Sequence, residues 1–171
     1  MEVLREEQGM IISQRKYTLE LLDEFDVSHI SSVSSPMDPS PKLSTDSGTP
    51  LSDPTIYRHL IGKINYLTHT RPDISFVVLT LTQFMHMPTT DHYSGALRVI
   101  CYLKKFPSHG LFFNALFSLS LTTFCDADWA SCRASRRSVS SFFISLGGSP
   151  ISWKSKKQSS VSLSSAEAEY R

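Results

Sequence analysis

Two acidic clusters are the residues of this 171-residue chain whose type and spacing could do chemistry. Asp126 and Asp128 alternate in "FCDADWAS", and Glu167 and Glu169 alternate in "SSAEAEYR". In an extended strand, alternation places Asp126 and Asp128 on one face. Carboxylate oxygens are the ligands that Mg²⁺ prefers, and a carboxylate from another element would complete a two-metal site for phosphodiester hydrolysis. The sequence offers Glu167 or Glu169 as that second carboxylate.

The same acidic residues also have a purely structural explanation. Asp126 and Asp128 could simply end a strand. Glu167 and Glu169 could favour a helix N-terminus, where negative charge is stabilising. Spacing alone leaves both interpretations open.

Basic residues lie close to these clusters in the sequence. The segments "RASRRS" and "WKSKKQ" carry Arg133, Arg136, Arg137, Lys154, Lys156 and Lys157. These side chains could contact the phosphates of a nucleic-acid duplex, although a solvated strand face carries such residues equally well. Because 17 basic residues nearly balance 16 acidic ones, any such contact must come from local clusters rather than from overall charge.

Cysteine and histidine chemistry finds little support in the sequence. Cys101, Cys125 and Cys132 do not have the short spacing of a zinc or redox motif, and no two of the six histidines are four residues apart. We therefore expect reduced, mostly buried thiols, which are typical of an intracellular protein. The acidic N-terminus lacks an apolar signal region, and no apolar run approaches the roughly 18 residues of a membrane span. No membrane or secretory route is predicted, and the compartment is not otherwise indicated.

Hydrophobic periodicity indicates the elements that must position these clusters. Residues 2–13 predict two short strands around a Gln8-Gly9 turn. A helix follows, with Tyr17, Leu21, Leu22 and Phe25 on one face. Residues 27–50 are rich in Ser, Pro and Asp and predict a linker or long surface loop.

Residues 53–106 predict a small bundle of three helices. Asp53-Pro54 and Arg71-Pro72 begin the first two, Pro88 ends the second, and Thr90 or Asp91 caps the third. Their apolar stripes are Ile56, Leu60, Ile64 and Leu67; Ile74, Val77, Val78, Leu81 and Met85; and Tyr93, Leu97, Ile100 and Leu103.

After Gly110 the apolar period changes to two, which predicts strands in "GLFFN", "LSLTTFCDAD", "SVSSFFISLG" and "SPISWKSKK". Gly147-Gly148 predicts a hairpin turn between the last two strands. Ser164 or Ser165 would cap a short helix in the final segment.

Several segments resemble the C-terminal part of the Pol polyprotein of copia-type retrotransposons. They are "SQRKYTLELL", "SSPMDPSPKL", "YRHLIGKINYLTHTRPDISFVV", "FCDADWAS", "RRSVSS" and "ISWKSKKQSSVSLSSAEAEYR". The resemblance covers essentially the whole chain and implies an α+β fold, with a helical thumb/connection segment followed by a truncated ribonuclease H-like mixed sheet. It implies the end of a reverse transcriptase palm and the start of its thumb at 1–26, a linker at 27–50, thumb/connection at 51–110, and the ribonuclease H-like part at 111–171.

The resemblance also assigns roles to individual residues. It implies that Asp126 is the catalytic aspartate that ends the first ribonuclease H strand and that Glu169 is the catalytic glutamate of the following helix. Both would be ligands of Mg²⁺ or Mn²⁺ in the complete parent domain, with Asp128 a neighbour. Arg136, Arg137, Lys154, Lys156 and Lys157 are the expected nucleic-acid contacts.

The parent polyprotein is expected to carry out RNA-directed DNA synthesis and RNA:DNA hybrid cleavage. This chain contains neither the polymerase aspartates nor the last two ribonuclease H aspartates of the family, so it is expected to be inactive alone and to bind no metal stably. The expected partners are an RNA:DNA hybrid and the rest of the polyprotein, with no membrane and no small-molecule substrate. A non-catalytic module that binds nucleic acid or the polyprotein is the alternative. Because an open sheet exposes an unpaired edge, a chain without a stable fold is a third possibility.

Overall fold

A computed structural model describes residues 1–38, 43–115, 119–132 and 135–171. Within these ranges the chain forms two compact units, residues 1–4 with 12–111 and residues 5–11 with 112–171. None of the described helices has the length and apolar character needed to cross a bilayer. Residues 39–42 of the predicted linker and Arg133 of the basic cluster lie outside the described residues.

The element order follows the sequence pattern closely. The helices are α1 (Arg15–Glu24), α2 (Pro54–Leu67), α3 (Ser75–Thr82), α4 (Thr90–Lys105) and α5 (Ser165–Glu169), with a 3₁₀ turn at Pro72–Ile74 before α3. The strands are β1 (Glu2–Glu6), β2 (Gly9–Ser13), β3 (Gly110–Asn114), β4 (Leu121–Asp128), β5 (Val139–Leu146) and β6 (Ser149–Lys157). They form two three-stranded sheets, in the orders β1-β2-β3 and β4-β5-β6.

The apolar stripes of the helices form the core of the first unit. α2 and α3 pack against each other and against α4, and α1 packs on α4. The buried side chains include Leu21 of α1; Leu60, Ile64 and Leu67 of α2; Val77, Val78 and Leu81 of α3; and Ile100 and Leu103 of α4. Full burial of each such side chain contributes roughly 1.5–3 kcal/mol relative to exposure. The helical stripes predicted from the sequence are confirmed at these positions.

The stripe of α2 begins one residue later than predicted. Ile56 is 44% exposed, whereas Tyr57 is fully buried. The Tyr57 hydroxyl donates to the main-chain oxygen of Leu81 at 2.7 Å, so its polar atom is satisfied within the core. An aromatic side chain with a hydrogen-bond partner on α3 therefore occupies the position expected for an isoleucine.

Two predicted helix ends are wrong by a few residues. α3 ends at Thr82 rather than continuing to Pro88, and the N-cap of α4 is Thr89 rather than Thr90 or Asp91. The Arg58 side chain donates to the carbonyl oxygens of Met85 and His86, which satisfies backbone groups beyond the helix and lets the chain leave it early. The predicted cap at Asp53 is confirmed, since its carboxylate accepts from the Thr55 N–H at 2.8 Å.

The sheet β4-β5-β6 supplies the frame of the second unit. Both of its strand pairings are antiparallel, whereas the resemblance implies a mixed sheet. Gly147 and Gly148 join β5 to β6, and both have positive φ angles, 57° and 80°, as a tight hairpin turn requires. The predicted hairpin turn is therefore confirmed.

A buried arginine ties the beginning of α3 to the end of α4. The Arg71 side chain is 3% exposed and forms a two-point pair with the Asp73 carboxylate, at 3.0 and 2.7 Å. It also donates to the Phe106 carbonyl at 3.1 Å and lies over the Tyr102 ring. The Tyr102 hydroxyl donates to Asp73 at 2.7 Å. Burial alone would raise the pKa of Asp73, but Arg71 and Tyr102 lower it below its usual value.

Replacing Asp73 is expected to destabilise the first unit. Asp73→Ala leaves the buried Arg71 guanidinium without its counter-charge, and we expect a loss of about 2–3 kcal/mol in the free energy of unfolding. This loss is smaller than the roughly 3–5 kcal/mol typical of a fully buried pair, because the Asp73 side chain is 36% exposed. Chemical denaturation at pH 7 measures the difference, with the exposed Asp23→Ala as the matched control, expected within about 0.5 kcal/mol of the parent.

The same variant has a defined pH dependence. The pKa of Asp73 is lower in the folded chain than in the unfolded chain, where it is about 4. Asp73 therefore contributes fully to the free energy of unfolding above about pH 4, and this contribution is lost as the pH falls through the pKa of the folded state. The difference between parent and variant should therefore narrow below about pH 4. A constant difference down to pH 2 would contradict the ion pair.

Candidate functional site

Asp126 and Asp128 occupy the C-terminal half of β4. They pair with Ser141 and Val139 of β5, so both carboxylates lie on one face of the sheet, as predicted. Their Cα atoms are about 7 Å apart, two strand residues, and both side chains are exposed. The strand ends at Asp128, directly before Trp129.

Trp129 holds the segment that precedes α5 against the end of β4. Its indole Nε1 donates to the carbonyl of Ser162 at 3.0 Å, and Ser162 is buried. The Ser162 hydroxyl donates to Gln158 Oε1 at 2.9 Å. The sequence contains no obvious signal for this contact, because Trp129 is 33 residues away from Ser162.

Glu167 is engaged in the N-terminal cap of α5. The Ser164 hydroxyl accepts from the Glu167 N–H at 3.1 Å, and Glu167 Oε2 accepts from the Leu163 N–H at 2.7 Å. Its other oxygen accepts from Arg171 at 2.5 Å. The Leu163 N–H and Arg171 lower the pKa of the Glu167 carboxyl. These contacts support the structural explanation for Glu167, in which the carboxylate stabilises a helix N-terminus.

Glu169 is the exposed last residue of α5. α5 packs against β4, and Gln158 links it to the sheet by donating to both the Ala168 carbonyl and the Ser140 hydroxyl, at 2.7 and 2.8 Å. Ser140 pairs with Ala127, so this link reaches the face of the sheet that Asp126 does not occupy. Asp126 and Glu169 thus belong to adjoining elements, with the link on the opposite face.

The acidic residues have the right type of ligand atom for a divalent cation, but too few of them gather in one place. Their carboxylate oxygens are the donors that Mg²⁺ prefers. Across residues 1–38, 43–115, 119–132 and 135–171, however, no three His, Cys, Asp or Glu side chains gather as metal ligands. The described side chains do not complete a metal site, and the metal-binding roles of Asp126 and Glu169 stay predictions.

The basic residues separate into two groups. Lys154 and Lys156 pair with Phe142 and Ser140 and lie exposed on one face, with Phe142 also 37% exposed. Lys157 pairs with Val139, which places it on the other face. Its ammonium donates to Cys132 Sγ at 2.8 Å.

Arg136 and Arg137 are exposed in the β4–β5 loop. Because the start of β5 pairs with the end of β6, this loop and Lys156 lie at the same end of the sheet. Arg136, Arg137, Lys154 and Lys156 are therefore available to solvent, whereas Lys157 has a partner within the chain.

The cysteines differ from the expectation of mostly buried thiols. Cys101 is buried, Cys125 is exposed and Cys132 is half-buried. Burial would raise the pKa of the Cys132 thiol, but hydrogen bonds from Lys157 and Ser135 lower it to about 7. Sequence reasoning missed this thiol because its partner lies 25 residues away.

Relatives of this chain are found among transposon polyproteins. It is 47% identical over all 171 residues to the retrovirus-related Pol polyproteins from transposons RE2 and RE1 of Arabidopsis thaliana, and it spans 12% of the length of each. It is 39% identical over 163 residues to an uncharacterized mitochondrial protein of Arabidopsis thaliana, covering 95% of this chain and 68% of that protein. No family model and no solved structure matches the chain.

The two glutamates of α5 should respond differently to substitution. Glu167→Ala removes the acceptor of the Leu163 N–H, so we expect faster hydrogen exchange at that amide and fraying of α5. Glu169→Ala is the matched control and should leave the Leu163 amide unchanged. Amide exchange measured by NMR compares the two variants, and equal effects would contradict the capping role of Glu167.

Proposed function

Because the chain belongs to the family of copia-type retrotransposon Pol polyproteins, we propose that it represents a part of a polyprotein that carries out RNA-directed DNA synthesis and RNA:DNA hybrid cleavage. The observation that carries the proposal is 47% identity along all 171 residues to two such polyproteins. Since the chain spans 12% of their length, activities of the whole polyprotein reach it only as proposals.

The two units take different parts in this proposal. The helical unit corresponds to the thumb/connection segment, and the unit containing β4, β5, β6 and α5 corresponds to a ribonuclease H-like part. Support comes from the order of the elements, in which a strand ending in Asp126 and Asp128 is followed by a hairpin and a helix carrying Glu169. In the parent enzyme Asp126 and Glu169 would hold Mg²⁺ or Mn²⁺.

We infer that this chain alone does not cleave a hybrid. The ribonuclease H resemblance implies two further aspartates in a complete site, and Glu167, the alternative glutamate of α5, is already engaged by Leu163 and Arg171. A two-metal mechanism requires several carboxylates to hold two ions roughly 3.5–4 Å apart. Asp126 and Glu169 by themselves do not supply that number.

An RNA:DNA hybrid labelled on its RNA strand should remain intact when incubated with the purified chain and Mg²⁺, because two carboxylates cannot cage both ions. Gel electrophoresis of the RNA strand gives the readout, with a complete ribonuclease H as positive control. Cleavage that requires Mg²⁺ and disappears in Asp126→Asn would overturn the inference and show that a working site forms.

Non-catalytic nucleic-acid binding is the second candidate function. It is favoured by the exposed Lys154 and Lys156, which share one sheet face with the half-exposed Phe142, and by Arg137 near the same end of that sheet. Lysine ammonium groups neutralise phosphates, and an exposed aromatic ring offers a surface for stacking. The aspartates of β4 lie on the other face, so they do not interrupt this surface.

Removing both lysines should weaken binding and its salt dependence. In Lys154→Ala/Lys156→Ala the slope of log K against log salt should fall by about 2, because two phosphate contacts are lost. Fluorescence anisotropy on a labelled RNA:DNA hybrid measures the slope. The charge-matched variant Arg15→Ala/Lys16→Ala, on exposed positions of α1, should retain the parental slope.

Two results would count against this surface. An equal loss of affinity in both double variants would mean that binding depends on net charge rather than on this surface. If the parent chain does not bind the hybrid even at low salt, nucleic-acid binding is excluded as a function. Neither result bears on the family to which the chain belongs.

A further inference from the structure

His92 is a fully buried histidine with a partner on each ring nitrogen. Nδ1 lies 3.0 Å from both the backbone nitrogen and the hydroxyl of Thr89. Nε2 lies 3.0 Å from the carbonyl oxygen of Ser44. The ring stacks on Phe84, with centroids 3.8 Å apart and planes 12° apart.

These partners define the proton position on the ring. A backbone N–H can only donate, so Nδ1 must accept from Thr89, and a carbonyl oxygen can only accept, so Nε2 must carry hydrogen toward Ser44. The buried ring is therefore the neutral Nε2–H tautomer. Together with the Thr89 hydroxyl, which accepts from the His92 N–H, it forms a capping box at the start of α4.

The capping box sits where α4 meets the chain that precedes α2. Thr89 forms a β-bridge with Pro50. On either side of it, the Thr90 N–H donates to Thr49 at 2.9 Å and the Leu51 N–H donates to Pro88 at 3.0 Å. The cap at Thr89 and the attachment of residues 49–51 are therefore parts of one arrangement.

A second proton on His92 would disturb this arrangement. Protonated Nδ1 would point a hydrogen at the Thr89 N–H, which then loses its acceptor. The Thr89 hydroxyl can rotate and accept the new hydrogen bond from Nδ1, but the backbone N–H of Thr89 can only donate and has no acceptor left. The bond from Nε2 to Ser44 survives, so the disturbance is confined to the Thr89 side of the ring.

The surroundings of the ring favour its neutral form. Tyr57 of α2, 6.5 Å away between ring centroids, and Phe84 bring no charge, and Asp91 of α4 is the charged neighbour that favours protonation. Burial lowers the pKa of His92, and this outweighs the opposing effects of Ser44 and Asp91.

We propose that His92 is a pH-sensitive latch, whose protonation uncaps α4 and releases residues 49–51 from the start of that helix. The neutral ring holds the latch closed at neutral pH. In the open state the pKa of His92 is near the ordinary histidine value of about 6.5, and in the closed state it is lower. As the pH falls below about 6.5, the open state therefore binds a proton more readily than the closed state does. Residues 49–51 then lose their attachment to the start of α4, while the contact of His92 with Ser44 is retained.

Hydrogen exchange at the Leu51 and Thr90 amides tests the latch. After correction for intrinsic exchange, the protection factors of these two amides should fall by up to about tenfold for each pH unit. This fall should extend from about pH 6.5 down to the lowered pKa of His92 in the folded chain. In His92→Gln, glutamine can accept from Thr89 without titrating, so this dependence should vanish. His69→Gln, at an exposed histidine, is the matched control and should keep the parental slope.

NMR titration of the His92 ring in the parent chain keeps the test decisive if His92→Gln fails to fold. A pKa below 6.5, together with loss of protection over the same pH range, supports the latch. A pKa at or above 6.5, or protection that does not change with pH, overturns it. An unchanged slope in a folded His92→Gln variant overturns it as well.

Discussion

A buried guanidinium must find partners for its N–H donors, and the helical unit is organised around that requirement at Arg71. Its partners are Asp73, in the 3₁₀ turn before α3, and the Phe106 carbonyl, at the end of α4. A shift of α3 along α4 would break the bonds from Arg71 to the Phe106 carbonyl and from the Tyr102 hydroxyl to Asp73, and buried polar groups would then lose their partners. The apolar stripes bring the helices together, and this polar contact selects their alignment.

The N-terminal end of α4 is also held by a small number of hydrogen bonds. Thr89 and His92 satisfy backbone groups at the N-terminus, and the neighbouring residues bond to the chain just before α2. α4 is therefore anchored by a charged pair at one end and by a neutral cap at the other. The charged pair includes a carboxyl whose pKa is lowered, whereas the neutral cap includes an imidazole whose pKa is lowered by burial, so acid affects the two ends of α4 through different groups.

Strand alternation governs the chemistry of the second unit. It puts Asp126 and Asp128 on one face of the sheet and Lys154 and Lys156 on the other, so these acidic and basic groups do not neutralise each other. A phosphate backbone could meet the lysine face without approaching the aspartates.

The sequence by itself determined the secondary structure with its main turns and caps, because these depend on residues close in the chain. Apart from Ile56, most of the stripes of α2, α3 and α4 were predictable from spacing, as were the cap at Asp53, the Gly147-Gly148 turn and the shared face of Asp126 and Asp128, whereas the end of α3 and the cap of α4 were not. The resemblance to Pol polyproteins was likewise readable from local motifs and agrees with the relatives found.

Only the tertiary structure decided which side chains find distant partners. It buried Tyr57 in place of Ile56, because the hydroxyl of Tyr57 meets a carbonyl on α3. It drew Lys157 to Cys132, away from Lys154 and Lys156, and it engaged Glu167 in a cap while leaving Glu169 exposed. These outcomes depend on hydrogen-bond geometry between separate segments, and sequence periodicity carries no information about such geometry.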